Sequence, residues 1–269
     1  MKTVCDMGLE QEILSQKNSL STDRLDMSFG EIISMYQRNE IVIDPDFQRL
    51  FRWSDEQKTN FIESVILGIP IPPIFVAEDE DGRWELVDGL QRISSLLSFF
   101  GELRSLPEKN NWTMCEGGLV KSLVGINLDS LPTKFALNIK RSTCRVEIIR
   151  WNSDYDMRYE LFNRLNTGGT ELTAQEIRNC VFRGISSKFN NFMKRISSDP
   201  VLVEMIGASD KQVEELYLEE MVLRFCSQFG KEGEQIEHDL HNHMTEFMKV
   251  TVKKDSFDEK LGALLLQVL

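Results

Sequence analysis

The sequence predicts an α/β chain in two parts, a mixed-sheet α/β subdomain followed by an all-helical one. Two observations carry this. Up to about residue 150, short strand-like runs bounded by turn residues (IVI, IFVAE, RWELV, CRVEII) interleave with segments of helical period. After Asn152 every patterned segment has helical spacing. No internal repeat or low-complexity linker separates the parts, so they are expected to be packed subdomains. The boundaries fall at 1–27 for a loosely held, polar leader, 28–151 for the α/β subdomain and 152–269 for the helical one.

Each element has its own signal. After Ser28, Phe29, Ile32, Ile33 and Tyr36 share one helical face. IVIDPDF reads as a short strand ended by Pro45. Ser54 and Gln57 form a capping box, opening a helix through Phe61, Ile62, Val65 and Ile66 that stops at Gly68. IFVAED and RWELV flank an Asp81-Gly82 turn and read as a hairpin. Past Asp88-Gly89, Ile93, Leu96, Leu97 and Phe100 mark a helix ending at Gly101. Residues 102–130 are weakly patterned, LPTKFALNI is a short helix, and STCRVEIIRW is a strand. In the second part, DYDMRYELFNRL is a helix and NTGGTEL a loop. Thr173 and Glu176 make a second capping box, and amphipathic helices follow near 187–196, 212–229, 239–251 and 256–267.

Composition narrows the function. The 269 residues are 41% hydrophobic and 28% charged, ordinary for a globular protein. No apolar run approaches the ~18 residues of a membrane span, and acids sit where a secretory signal would be apolar; a cytoplasmic protein without membrane contact is expected. Five scattered cysteines without a CxxC pair read as reduced thiols. The net charge of −12, with ten acids against three bases in 201–240, argues against a duplex-DNA grip by that segment. Basic patches remain at Arg49–Arg52 and at Lys134, Lys140 and Arg141.

Three constellations carry chemistry. In Asp88-Gly89-Leu90-Gln91-Arg92 a strand meets a helix N-terminus, whose free N–H groups and partial positive charge suit an anion. Gly89 lets backbone approach a ligand, Arg92 can fork onto a phosphate, Asp88 can hold Mg²⁺ or a ribose hydroxyl, and Gln91 can orient a water. The plainer alternative makes Asp88 an N-cap and Arg92 a salt-bridging residue. In Asn163-Arg164-Leu165-Asn166-Thr167-Gly168-Gly169, polar residues precede a double glycine able to form an anion nest; a glycine C-cap explains Gly168 equally well. In PDFQRLFRW, Arg49 follows a strand, and the aromatics read either as base-stacking platforms or, preferably, as core. His238, His241 and His243 lack a metal signature and read as a solvated helix start.

These pieces in this order, PDFQRLFRW, FIESVILGIPIPPIF, WELVDGLQR and LFNRLNTGGTELTAQEIRN, resemble the N-terminal domain of GmrSD-type restriction systems, within the ParB/sulfiredoxin-like group. The resemblance spans about 28–183. It implies a ParB-like core that binds and hydrolyses NTP, with Mg²⁺, at a DGQQR-type motif occupied here by Asp88, Gly89, Gln91 and Arg92. Arg49 matches the FQR arginine, and Asn166, Gly168 and Gly169 match the asparagine–glycine loop beside Arg164. Leu90 replaces the motif's first glutamine and argues against sulfiredoxin chemistry, which needs a cysteine there. No HNH-type region is present, so cutting of DNA is expected from a partner nuclease chain or a further domain. The helical part would supply a second wall of the cleft. The expected partners are therefore NTP, a nuclease, DNA indirectly, and a second copy in a homo-oligomer. Two other readings stay open: a non-catalytic nucleotide-sensing or protein-binding module, and a direct nucleic-acid binder.

Overall fold

A computed structural model describes residues 21–43, 51–79, 81–150, 173–182, 186–229, 239–254 and 260–268, with isolated positions at 9, 11, 13, 14, 160, 161 and 164. The chain divides into two compact units, Met1–Arg158 and Tyr159–Leu269.

The first unit is built on a five-stranded mixed sheet. Its strands are β1 (Thr22–Ser28), β2 (Ile41–Val42), β3 (Ile74–Glu78), β4 (Trp84–Asp88) and β5 (Thr143–Ile149), in the order β1-β5-β3-β4-β2. β1 runs antiparallel to β5, β5 parallel to β3, β3 antiparallel to β4, and β4 parallel to β2. The central strands carry the core: Ile74, Val76, Val146 and Ile148 are buried. A β-bulge interrupts the β3–β4 ladder, where Phe75 pairs with Asp88 but Val76 with Leu86, leaving Val87 as the extra residue. Such a bulge bends the strand locally, here just before it ends at Asp88.

Among the described residues, four α-helices of the sheet's unit have full bounds. α1 (Phe29–Gln37) is capped by Ser28 and buries Phe29, Ile32, Ile33 and Tyr36, the face its spacing predicts. α2 (Asp55–Leu67) opens on the predicted capping box of Ser54 and Gln57, and closes on Gly68 at φ 71°. α3 (Leu90–Phe99) follows β4 through Gly89 alone. α4 (Thr133–Arg141) precedes β5, and the Phe29 amide donates to the Ser142 carbonyl at 3.0 Å, tying the start of α1 to that junction.

In this unit two features depart from the sequence expectation. Thr22–Met27, assigned to the leader, belong to β1, an edge strand in full register with β5. On α3 it is Phe99 that is wholly buried, with Phe100 half-buried. The reason lies in the weakly patterned stretch 102–130, which runs over α3. Trp112 packs edge-on to Phe99 at 5.4 Å and its indole N–H donates to the Ser95 carbonyl. The face that periodicity would leave to solvent is therefore covered, and Ser94, Ser95 and Ser98 are buried with it.

The same stretch is held to α2 by a buried carboxylate. Glu63 accepts from the amides of Leu119 (2.9 Å) and Val120 (2.6 Å) through one oxygen. A Cβ at Gly117 would collide with that carboxylate and with the Val120 carbonyl, so the close approach requires glycine. Thr59, on the same helix, accepts from the Cys115 amide at 3.1 Å.

In the second unit every described element is helical: α5 (Ala174–Phe182), α6 (Ser187–Ser197), α7 (Pro200–Ile206), α8 (Asp210–Glu214), α9 (Tyr217–Gln228), α10 (Leu240–Lys254) and α11 (Lys260–Val268). The Thr173–Glu176 capping box is present in both directions. The single helix expected over 212–229 is two, broken where Leu216 adopts φ 59°. A buried polar network is set into the apolar core of this unit. Arg178, wholly buried, donates to Gln175 at 2.9 Å and lies 3.7 Å from Glu220, which pairs with Arg224 at 2.8 Å. Asn179 joins Gln175 to Glu219.

Candidate functional site

The corner between β4 and α3 gathers four of the residues singled out by sequence. It exists because Gly89 turns the chain at φ 96°, in the left-handed region, so that a strand ends at Asp88 and a helix begins at Leu90 with no linker. A Cβ on Gly89 would lie 2.6 Å from Cγ2 of Ile74 on the neighbouring strand. Leu90 is buried in the core beneath, so the motif position where the family has glutamine faces inward here.

Arg92 is braced from two sides. One terminal nitrogen donates to Asp88 Oδ2 at 2.9 Å, and the other to the carbonyls of Pro72 and, at 3.1 Å, Pro73. The proline turn before β3 thus supplies two carbonyl acceptors, which Arg92 satisfies. The Arg92 side chain is 13% exposed and that of Asp88 42%, so the pair presents its acid to solvent and keeps its guanidinium inside. Arg92 also reaches electrostatically into the sheet: burial pushes the Cys144 thiol above its ordinary value, and the Arg92 charge works against that rise.

Gln91 points the other way. Its side-chain oxygen accepts from the amides of Arg52 (3.0 Å) and Trp53 (3.1 Å), fastening the segment before α2 to the first turn of α3. The Phe51 carbonyl in that segment is held by Lys109 at 2.8 Å. Phe51 is buried and the Trp53 ring packs 5.9 Å from Phe61, so both aromatics serve the core. Pro72, Pro73, Arg52 and Trp53 as partners of the motif were not foreseeable from spacing, because they lie 19 to 39 residues away in the chain.

Arg49, Asn166, Gly168 and Gly169 lie outside the described residues. Arg164 is an exposed helical residue paired with Glu160 at 2.7 Å, four positions earlier. Among the described residues no three His, Cys, Asp or Glu side chains converge on a metal site. His243 Nε2 lies 3.0 Å from the Ser227 carbonyl and so must donate to it, while His241 is exposed and His238 lies outside the described residues. Asp88 remains as a single exposed carboxylate, which suits Mg²⁺ when phosphates supply the other oxygens. No described helix is long and apolar enough to cross a membrane.

A family model, the N-terminal domain of the GmrSD restriction endonuclease, matches residues 29–183. The chain belongs to that family. No curated protein matches it, and no solved structure does. The matched span of this GmrSD-type chain starts at α1, takes in the sheet from β2 to β5 with the Asp88–Arg92 corner, and ends just after α5.

Proposed function

We propose that this chain is the nucleotide-handling component of a prokaryotic restriction or phage-defence system, and that it binds a nucleoside triphosphate with Mg²⁺ at the Asp88–Arg92 corner and hydrolyses it. The carrying observation is the braced Arg92 in the first turn of α3, directly beside an exposed carboxylate. A phosphate placed there meets the partial positive end of a helix and a guanidinium whose rotamer is already fixed by proline carbonyls. Asp88 is the carboxylate that would hold Mg²⁺, whose role is to neutralise phosphate charge as it develops. Arg49, and separately the Asn166–Gly169 loop, are assigned to phosphate binding on the family resemblance alone. The nuclease belongs to a partner chain or a further domain, and DNA is reached through it.

A second reading has its own observation. Both lone pairs of the Gln91 side-chain oxygen are filled by the Arg52 and Trp53 amides, so that oxygen cannot accept from an attacking water. Leu90, buried, offers nothing polar. A corner so arranged senses nucleotide without turning it over.

Phosphate release from the four NTPs with Mg²⁺, run beside calorimetric titration of each, separates the readings. Turnover lost in Asp88→Asn and Arg92→Gln, with melting temperatures within a few degrees of wild type, supports the NTPase. Saturable binding without release supports the sensor. Neither signal for any nucleotide refutes both.

A further inference from the structure

The segment that joins α2 to β3 serves two neighbours. The carbonyls of Pro72 and Pro73 hold the Arg92 guanidinium. Just before them, Ile69, Pro70 and Ile71 line a cleft of about 300 Å³, together with Phe29, Ser142 and Thr143. The cleft lies where two parallel strands part. β3 pairs with β5 from Ile74 and Val146 onward, and Ile71 and Thr143, each three residues ahead of that pair, both line the opening.

This cleft adjoins the Asp88–Arg92 corner. Phe75 of β3 pairs with Asp88, so β4 ends at the side of the sheet where β3 and β5 begin. One residue step, about 3.8 Å between Cα atoms, separates Ile71 in the cleft wall from Pro72, whose carbonyl Arg92 holds. The Arg92 charge is also felt at Cys144, the residue after Thr143.

The lining suits a ring with a polar edge. Phe29, Ile69, Pro70 and Ile71 offer apolar contact. The Ser142 hydroxyl donates to the Asn138 carbonyl at 2.9 Å, which leaves its oxygen able to accept. Thr143 is exposed, and its hydroxyl can donate or accept. Apolar walls with a few placed polar groups are the usual form of a small-molecule site, and this volume lies at the lower end of their range of roughly 300–1,000 Å³. Lys140 and Arg141, in the last turn of α4 directly before Ser142, are exposed, and among the described residues no carboxylate pairs with either. On a chain of net charge −12 they favour the approach of a polyanion from this side.

We infer that the cleft receives the base and ribose of the triphosphate whose phosphates lie at the Asp88–Arg92 corner, with the Ser142 and Thr143 hydroxyls meeting the polar edge of the base. The inference rests on the proposed nucleotide function and adds to it the place where one nucleotide is told from another.

Calorimetry on the full chain tests it by comparing the four NTPs with inorganic triphosphate, all with Mg²⁺, because triphosphate fills the corner and leaves the cleft empty. The preferred NTP should bind roughly tenfold or more tightly than triphosphate. Ser142→Ala with Thr143→Val should erase most of that margin, with triphosphate affinity and melting temperature as in wild type, whereas Arg92→Gln should weaken both ligands. Triphosphate that binds as tightly as every NTP, or a margin that survives the double variant, would overturn the cleft assignment and leave the corner standing. Binding of neither NTP nor triphosphate would instead overturn the corner reading, and the cleft assignment with it.

Discussion

Gly89→Ala is the sharpest test of how the Asp88–Arg92 corner is built. Two costs follow from the geometry. At φ 96° an alanine sits in left-handed backbone, worth about 1–2 kcal/mol against it. Its Cβ would also lie 2.6 Å from Cγ2 of Ile74, on the central strand β3, where neighbours are packed on both sides; relieving such overpacking costs about 1–3 kcal/mol. The expected destabilisation is therefore roughly 2–5 kcal/mol, a large part of the ~5–15 kcal/mol that holds an ordinary domain. Urea unfolding followed by tryptophan fluorescence measures it, since Trp53, Trp84 and Trp112 all lie in this unit. The double variant Gly89→Ala with Ile74→Ala should cost less than the sum of the singles, because the methyl that collides is gone. A loss below about 1 kcal/mol for Gly89→Ala, or strict additivity in the cycle, would refute the claim that close approach to Ile74 dictates glycine.

Other perturbations read other parts of the molecule. Glu63→Ala strands the Leu119 and Val120 amides and should cost about 2–4 kcal/mol with faster hydrogen exchange at both, whereas Glu63→Gln keeps an acceptor oxygen and should cost about 1 kcal/mol. Arg178→Met removes a wholly buried cation; because Arg224 still pairs with Glu220, the loss should fall near the lower end of the ~3–5 kcal/mol range for a broken buried pair, measured by thermal unfolding. Burial pushes the Cys226 thiol up from 9.0 to about 12, so it stays protonated in the fold while an unfolded chain would ionise it. Its stabilising contribution is thus complete below pH 9 and lost as pH rises towards 12; Cys226→Ala should flatten that part of the stability–pH curve, and a thiol reagent at pH 8 should modify Cys226 only through unfolding.

Much of this fold is written in local patterns. Ser54 with Gln57, and Thr173 with Glu176, announce helix starts because each box satisfies backbone donors that nothing else nearby reaches. The buried face of α1 is likewise readable, since its four apolar residues recur at helical spacing. β1 is not: TDRLDMS is exposed for most of its length, so no alternation of buried and open positions marks it. The kink at Leu216 leaves no trace in an apolar period that runs straight through it. At the site, the sequence assembles Asp88 through Arg92 but cannot say what they hold. Arg92 takes its carbonyls from Pro72 and Pro73, and Gln91 its amides from Arg52 and Trp53, partners supplied by tertiary contact alone. Arginine and glutamine, read from spacing as ligand groups, are in the fold also the pegs on which two neighbouring loops hang.

The pairing of β1 with β5 sets an order of events during synthesis. Asp23 and Arg150, 127 positions apart, close an ion pair at 2.6 Å at the end of a seven-residue ladder. β1 leaves the ribosome before the other described strands, yet its only strand neighbour among the described residues is made after the whole of α1 to α4. Until then the hairpin of β3 and β4 can form locally, whereas β1 waits as an unpaired strand, guarded by Asp23, Arg24 and Asp26 against pairing with other nascent chains. Closing so long a loop late makes folding of this unit slow relative to its local helices. The charges that hid β1 from pattern reading are the ones that keep it soluble while it waits.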